Sequence, residues 1–177
     1  LTAANNKGVN TDRLRVALEL EPGPLYLLQN KESLEEFSKA IDKHTCPLVR
    51  TCVGFNLDVA HWWLCRKLIS EKDVSHSIRE KIFGGHIAGH SPRGHFGDSG
   101  LAELVERAKT DAVAREQQKA YKMWLRFLAD EIKTPQAAGH VSLEFEASKP
   151  REDVPSSLRI LKKWIAEAMA TSDGRSS

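Results

Sequence analysis

The stretch that decides the fold is Val53-Gly54-Phe55-Asn56-Leu57-Asp58-Val59-Ala60-His61. The apolar run from Val53 to Leu57 is short, and this predicts a buried β-strand rather than a helix. Strands of a parallel sheet are covered on both faces, so they tend to be nearly unbroken apolar runs. A carboxylate at the end of such a strand is costly unless it is paired or holds a metal, so Asp58 and His61 are candidates for one shared site. The alternative is that Asp58 caps the following helix and that His61 is a packed aromatic residue.

The composition is that of an ordinary globular protein and argues against several classes of partner. The chain has 177 residues, of which 41% are hydrophobic and 28% are charged, and its formal net charge is +2. This length suffices for one domain with a hydrophobic core. A net charge so close to zero argues against nucleic acid or an anionic membrane as a partner. No apolar run approaches the roughly 20 residues that would cross a bilayer.

The cysteines and the start of the chain bear on its location. Three cysteines, Cys46, Cys52 and Cys65, are odd in number and match no zinc-binding spacing. We therefore expect reduced thiols in a cytoplasmic protein. The sequence has no recognisable secretory signal and begins at Leu1, which indicates a processed chain or a piece of a longer one.

Apolar runs and helical periodicity predict an alternation of strands and helices. The predicted strands cover residues 15–20, 53–58, 82–88 and 140–146. The predicted helices begin at Ser33 and near Trp62, and cover 73–81, 101–133 (as one helix or two) and 153–169. Loops are expected at 1–13, 89–100 and 134–139, and a disordered tail at 171–177 follows a single domain of residues 1–170. Such alternation predicts an α/β fold of parallel β/α units with right-handed crossovers.

Three details of the helices are specific enough to test. Ser33-Leu34-Glu35-Glu36 has the form of a capping box, which predicts the start of a helix at Ser33. Pro47 is expected to keep that helix from continuing. The last helix is expected to turn Leu158, Leu161 and Ile165 inward.

Acidic or imidazole side chains follow all four predicted strands. In β/α architectures chemistry gathers at the C-terminal ends of the strands, so these side chains are expected to lie together. They are Glu19 and Glu21, Asp58 and His61, His86 with His90 and His95 beyond it, and Glu144 and Glu146. Three carboxylates and one imidazole would suit Mn²⁺, Mg²⁺ or Co²⁺, with Zn²⁺ as a further candidate.

Two of these strand ends offer a choice between neighbouring glutamates. Glu21 follows Glu19 at a spacing of two, and Glu146 follows Glu144 at the same spacing, so each pair points to one side of its strand. Either member could be the ligand, the other being a surface acid. We favour Glu19 and Glu144, because each directly ends an apolar triplet.

The motifs at these strand ends resemble those of the xylose-isomerase-like TIM barrels. The resemblance rests on Val-Ala-Leu-Glu-Leu-Glu-Pro-Gly (16–23), Gly-Phe-Asn-Leu-Asp-Val-Ala-His (54–61), Gly-His-Ile-Ala-Gly-His (85–90) and Gly-His-Val-Ser-Leu-Glu-Phe-Glu (139–146). It covers strands five to eight of such a barrel, roughly residues 15–170. The superfamily includes sugar isomerases and epimerases, hydroxypyruvate isomerase, inosose dehydratase and the endonuclease-four type of apurinic endonuclease.

The resemblance implies a metal site and roles for several residues. The cation would be held by Glu19, Asp58, His86 and Glu144, and the two glutamates would also act as acid and base. A sugar or sugar phosphate would be the substrate, with contacts from His61, His95, Arg93, Glu21 and His90. A complete barrel has about 250 residues, so the missing half is expected from the same longer chain or from a second copy.

Two other functions remain open at this stage. One is a phosphodiesterase that acts on abasic DNA, for which the resemblance implies a cluster of zinc ions. Against it, the stretch Pro92-Arg93-Gly94-His95 lacks the aspartate that this branch has before the arginine. The other is a non-catalytic barrel that binds a small metabolite; Gly89 stands where many relatives have an acidic residue, which keeps this alternative open.

Overall fold

A four-stranded, all-parallel sheet forms the centre of the protein. The computed structural model describes residues 14–21, 25–66, 72, 74–91, 94–131, 140–144 and 150–173. Four strands pair in their order along the chain: β1 (Val16–Glu19), β2 (Val53–Asp58), β3 (Ile82–Ile87) and β6 (His140–Leu143). Seven described helices lie between and after them: α1 (Lys31–Lys43), α2 (Pro47–Cys52), α3 (Val59–Leu64), α4 (His76–Arg79), α5 (Leu101–Arg107), α6 (Ala112–Glu131) and α7 (Pro150–Asp173). The predicted α/β class with parallel β/α units is therefore confirmed.

The first helix begins two residues before its predicted start, and its N-cap lies three residues before it. Asn30 is the N-cap, and its side-chain Oδ1 accepts a hydrogen bond from the Ser33 backbone N–H at 2.9 Å. The Ser33 hydroxyl in turn accepts from the Asn30 backbone N–H at 3.1 Å. The predicted start at Ser33 is thus wrong, because Asn30 is the N-cap of the capping box and Ser33 is the third residue of the helix. Pro47 does not simply follow this helix; it is the first residue of α2. Proline is tolerated there because the backbone N–H groups of a first turn have no acceptor within the helix, so the N–H that proline lacks is not missed.

The segment predicted as a loop at 89–100 is a β-hairpin. Strands β4 (Gly89–Ser91) and β5 (Gly94–Ser99) pair antiparallel, apart from the central sheet. At its base, the Ser99 hydroxyl donates to the Gly89 carbonyl oxygen at 2.7 Å. An added Cβ at Gly89 would lie 2.5 Å from the Gly100 carbonyl oxygen, so the close approach of the two strands requires glycine there.

After this hairpin, the described part of the chain contains three helices with one strand among them. The predicted 101–133 segment divides into α5 and α6, and Asp111 accepts hydrogen bonds from the first backbone N–H groups of α6 at 2.7 and 3.2 Å. Helix α7 begins before and ends after its predicted bounds, so 171–173 are helical; 174–177 lie outside the described residues. Leu158 is 39% exposed, contrary to prediction, because the buried stripe contains Ser157, Leu161, Trp164 and Ala168.

Helices cover the apolar face of the sheet. Phe55 and Leu57 are buried on this face of β2, and an added Cβ at Gly85 would lie 2.9 Å from the Leu128 side chain of α6. Between α3 and α6, the Trp62 and Trp124 rings pack edge to face with centroids 4.2 Å apart. None of the described helices is long and apolar enough to span a membrane.

The opposite face of the sheet is polar. Because side chains alternate along a strand and paired residues point the same way, the register places Glu19, Asn56, Asp58, His86 and Ser142 on one face. The bulge after Phe55 in the β2–β3 ladder keeps Asn56 level with Gly84 and Asp58 level with His86. This face carries the candidate site.

Candidate metal centre

Four side chains from the four central strands converge at one end of the polar face. One ligand atom from each of Glu19, Asp58, His86 and Glu144 lies within 4.8 Å of the other three. Each residue lies within one position of the C-terminal end of its strand, as the sequence predicted. The grouping therefore follows from the parallel register, which brings equivalent ends of adjacent strands to one edge.

The fourth member extends the ladder beyond β6. The Glu144 backbone N–H donates to the Ile87 carbonyl oxygen at 3.2 Å, which fixes this residue beside the end of β3. Its side chain is 58% exposed, in contrast to the 24% of Glu19 on the far side of the cluster. Glu144 is the member that solvent or a substrate reaches most readily.

The His86 imidazole lies between two carboxylates. Its Nδ1 is 3.4 Å from Glu19 Oε1 and also contacts Glu144 Oε2, yet neither contact satisfies the Nδ1 atom with a well-aligned hydrogen bond. The polar interaction with Glu19 is the main cause that raises the pKa of His86, and the charges of Glu144 and Asp58 raise it further. In the absence of another cation, His86 thus favours its protonated form.

Asp58 serves both of the roles considered for it. Its Oδ1 accepts a hydrogen bond from the His61 backbone N–H at 2.8 Å, so it is the N-cap of α3. The residue is 2% exposed, and burial is the main cause that raises its pKa above the usual range for aspartate. A buried carboxylate next to two other acids carries charge that the cap alone does not neutralise.

His61 joins the end of β1 to α3. Its Nδ1 lies 3.0 Å from the Leu20 carbonyl oxygen, and because a carbonyl only accepts, Nδ1 carries the proton. The same Nδ1 is 3.7 Å from both Glu19 Oε1 and Glu21 Oε2. The ring is buried, but it is a polar contact of the cluster rather than only a packed aromatic residue. A contact between His61 and substrate stays a prediction.

Glu19 and Glu21, the first of the two glutamate pairs, take different positions in the structure. Glu19 belongs to the four-residue cluster, whereas Glu21 faces His61; both line a cavity of about 300 Å³. The rest of that cavity is apolar or aromatic, formed by Leu18, Leu25, Tyr26, Leu27, Leu28 and Phe37. Glu146 lies outside the described residues, so its comparison with Glu144 rests on the position of Glu144 alone.

The remaining candidate residues follow β3. The backbones of His90 and His95 lie in the β4–β5 hairpin, but their side chains are not described, and Arg93 lies outside the described residues. Their predicted contacts with substrate therefore stay predictions. One of the three free cysteines, Cys65, is affected by the charge of Glu21: burial, with that charge, raises the pKa of its thiol to about 11. A thiol that stays protonated is a poor metal ligand.

Unsatisfied polar atoms mark the same face. Buried polar atoms nearly always have hydrogen-bond partners. Within the described part of the chain, Glu19 Oε1, Asn56 Oδ1 and His86 Nδ1 are buried without one, and all three residues lie on the polar face. Carboxylate and amide oxygens are potential ligands or acceptors and a neutral imidazole is a ligand, so this set of side chains suits the ion that the sequence predicted.

Asn56 is the residue of this face that sequence reasoning left without a role. It is 6% exposed and lies opposite Glu19 in the register. The available signal was its spacing of two from Asp58, which places both polar side chains on one face of a strand otherwise built of apolar residues and glycine.

Comparison of the chain with protein-family models, with curated proteins and with solved structures gave no match.

Proposed function

We propose that the chain is part of a divalent-metal-dependent isomerase or epimerase that acts on a sugar or sugar phosphate. The observation that carries this proposal is the convergence of Glu19, Asp58, His86 and Glu144 from four adjacent parallel strand ends. Three buried atoms on the same face support it, Glu19 Oε1, Asn56 Oδ1 and His86 Nδ1, since they lack hydrogen-bond partners among the described residues. The resemblance of the strand-end motifs to xylose-isomerase-like barrels supplies the reaction class.

The four residues would hold one cation, with Mn²⁺, Mg²⁺ or Co²⁺ favoured by three oxygen ligands and one nitrogen, and Zn²⁺ as a further candidate. When bound, such an ion polarises a carbonyl group and acidifies the adjacent C–H bond. His86 must be neutral to act as a ligand.

Proton transfer is assigned to Glu19 and Glu144. They lie at the two outer strands of the central sheet, with Asp58 and His86 between them, so they would flank the substrate. One carboxylate would remove the acidified proton, and the other would return a proton to a neighbouring atom or to the opposite face. The contacts of His61 with Leu20 and with Glu19 hold the end of β1 in place for this role.

The order of the strands also supports the proposed architecture. Strands that pair in chain order, with parallel neighbours and right-handed crossovers, place all their helices on one face, as in a β/α barrel. We propose that residues 15–170 form strands five to eight of a TIM barrel. The other half would come from the same longer chain or from a second copy, in a cytoplasmic protein.

Ion counting and hydrogen exchange test the proposal together. We expect one Mn²⁺ per chain by calorimetric titration, and Mn²⁺-dependent exchange of deuterium from D₂O into a carbon-bound position of a sugar in a panel of ketoses and aldoses. The protein should be the full chain in which the barrel is complete. Three zinc ions per chain would instead favour the phosphodiesterase, and bound metal without exchange into any sugar would favour a metabolite-binding barrel.

A further inference from the structure

The amide of Asn56 is a buried polar group that the proposed proton transfer does not use. Its Oδ1 has no hydrogen-bond partner among the described residues, although the residue is 6% exposed. Leaving an amide acceptor unpaired in the interior destabilises the folded state, and an apolar residue of similar shape would avoid that loss. Its presence on a core strand therefore indicates a partner that binds.

The neighbours of Asn56 on the polar face are two glycines and a member of the metal cluster. On its own strand, the next residue down this face is Gly54, and an added Cβ there would lie 2.7 Å from the Phe83 ring. Beside it, an added Cβ at Gly84 would lie 2.9 Å from the His140 ring. The two glycines thus leave room for these rings on the polar face, while Asn56 itself lies beside Glu19 and two residues before Asp58, next to the metal cluster.

We infer that Asn56 is a fifth group of the centre, whose amide oxygen accepts a hydrogen bond from an O–H group held by the ion. This inference rests on the proposed metal site. A neutral acceptor fits this position, because the cluster already contains three carboxylates and a fourth charge would add to their repulsion. The O–H group is a water molecule in the resting protein or a hydroxyl group of the polyol substrate.

Two variants and a matched control test this role by binding and by stability. Asn56→Leu removes the acceptor at nearly constant shape. Asn56→Ser keeps a small polar group that is too short to reach the O–H group held by the ion. The control is Ser157→Ala, since Ser157 Oγ is also buried without a partner among the described residues but lies on α7. Mn²⁺ affinity is measured by calorimetry with and without xylitol, and the thermal midpoint is measured without metal.

Both Asn56 variants should bind Mn²⁺ about 10- to 100-fold more weakly, as expected when a group that supports metal ligation is removed. Metal-free Asn56→Leu should melt at a higher temperature than the parent, whereas Ser157→Ala should keep the parent's Mn²⁺ affinity. A loss confined to xylitol binding would also support the inference and would assign the O–H group to the substrate.

Two outcomes would overturn the inference, and they have different meanings. If the parent binds Mn²⁺ and both Asn56 variants bind Mn²⁺ and xylitol equally well, Asn56 has no part in the centre, while the proposed function stands. If the parent binds no Mn²⁺, the proposed metal site fails and the role of Asn56 fails with it. Should Asn56→Leu not fold, Asn56→Ser alone decides between these results.

Discussion

The two ends of the central sheet both carry buried charge, but only one end satisfies it. At the N-terminal end, the Lys81 ammonium group is 2.8 Å from Asp42 Oδ1 and donates to the Ser77 carbonyl oxygen at 3.0 Å. The Ser77 hydroxyl also bonds to Asp42 and, at 2.6 Å, to the buried Ser38 hydroxyl. Every charge in this network has protein partners of the opposite sign or hydrogen-bond groups.

The C-terminal end has the opposite character. Three carboxylates surround a single imidazole in the four-residue cluster, and polar atoms of Glu19 and His86 lack aligned hydrogen bonds among the described residues. A complete set of partners indicates a structural role, since it fixes α1 and α4 against the start of β3. An incomplete set indicates a ligand. The comparison thus explains why buried charge alone does not identify a functional site.

The largest effect on activity is expected from removing one charge at the C-terminal end of the sheet. Glu144→Gln should lower sugar-dependent deuterium exchange by about 10²- to 10⁴-fold at saturating Mn²⁺, because a positioned general acid or base contributes that much. The side chain is 58% exposed, so the thermal midpoint should change little. Glu106→Gln is the control, because Glu106 is an exposed partner of Lys109 on α5 and should leave exchange unchanged. Normal exchange by Glu144→Gln would refute the assigned proton transfer.

The opposite end should respond in stability rather than in activity. Lys81→Met keeps most of the buried stem but removes the charge that Asp42 and Ser77 contact. We expect a loss of about 2 kcal/mol in the free energy of unfolding, because hydrogen bonds to a charged group contribute about 1.5–3 kcal/mol. Denaturant unfolding measures this loss, and Mn²⁺ affinity should remain that of the parent. A variant that lost metal affinity but no stability would reverse the roles assigned to the two ends.

The sequence predicted the central sheet and the grouping of four side chains at its edge because both depend on local patterns. Four apolar runs defined the strands, and their alternation with helices defined the parallel pairing. Once the strands are parallel, the position of Glu19, Asp58, His86 and Glu144 at one edge follows from chain direction alone. The choice of Glu19 over Glu21 agrees with the cluster, since apolar residues directly before it mark where the strand ends.

What the sequence did not predict depends on contacts between distant segments. Apart from Phe96, the strands of the β4–β5 hairpin consist of polar residues and glycine, so no apolar alternation marked them. On α7, Leu161 is buried as predicted, whereas Leu158 is exposed, since the buried stripe contains Ser157 and Trp164 and so buries a larger ring. The importance of Asn56 became visible only with its burial and its neighbours, which no local pattern encodes.

The smallest expected effect is the dependence of stability on pH, which arises from two residues of the cluster at the C-terminal end of the sheet. The folded-state pKa values of His86 and Asp58 are both raised, the first chiefly by Glu19 and the second by burial. A raised pKa means that the folded state binds the proton more tightly than the unfolded state does. The stabilisation that each bound proton gives is therefore fully present below the unfolded-state pKa of that group. It is lost as the pH rises through the folded-state pKa.

Mn²⁺ should oppose this trend, because it replaces the proton on His86. At pH values below the raised pKa of His86, Mn²⁺ affinity should fall by about tenfold for each unit by which the pH is lowered. One proton must leave His86 for each ion that binds. The increase in thermal midpoint that saturating Mn²⁺ produces should accordingly grow as the pH rises. Lys81→Met should show the same pH dependence, because its charge lies at the other end of the sheet. Mn²⁺ affinity that did not change with pH would show that His86 does not exchange its proton for the ion, and the cluster would then have to hold the ion through its carboxylates alone.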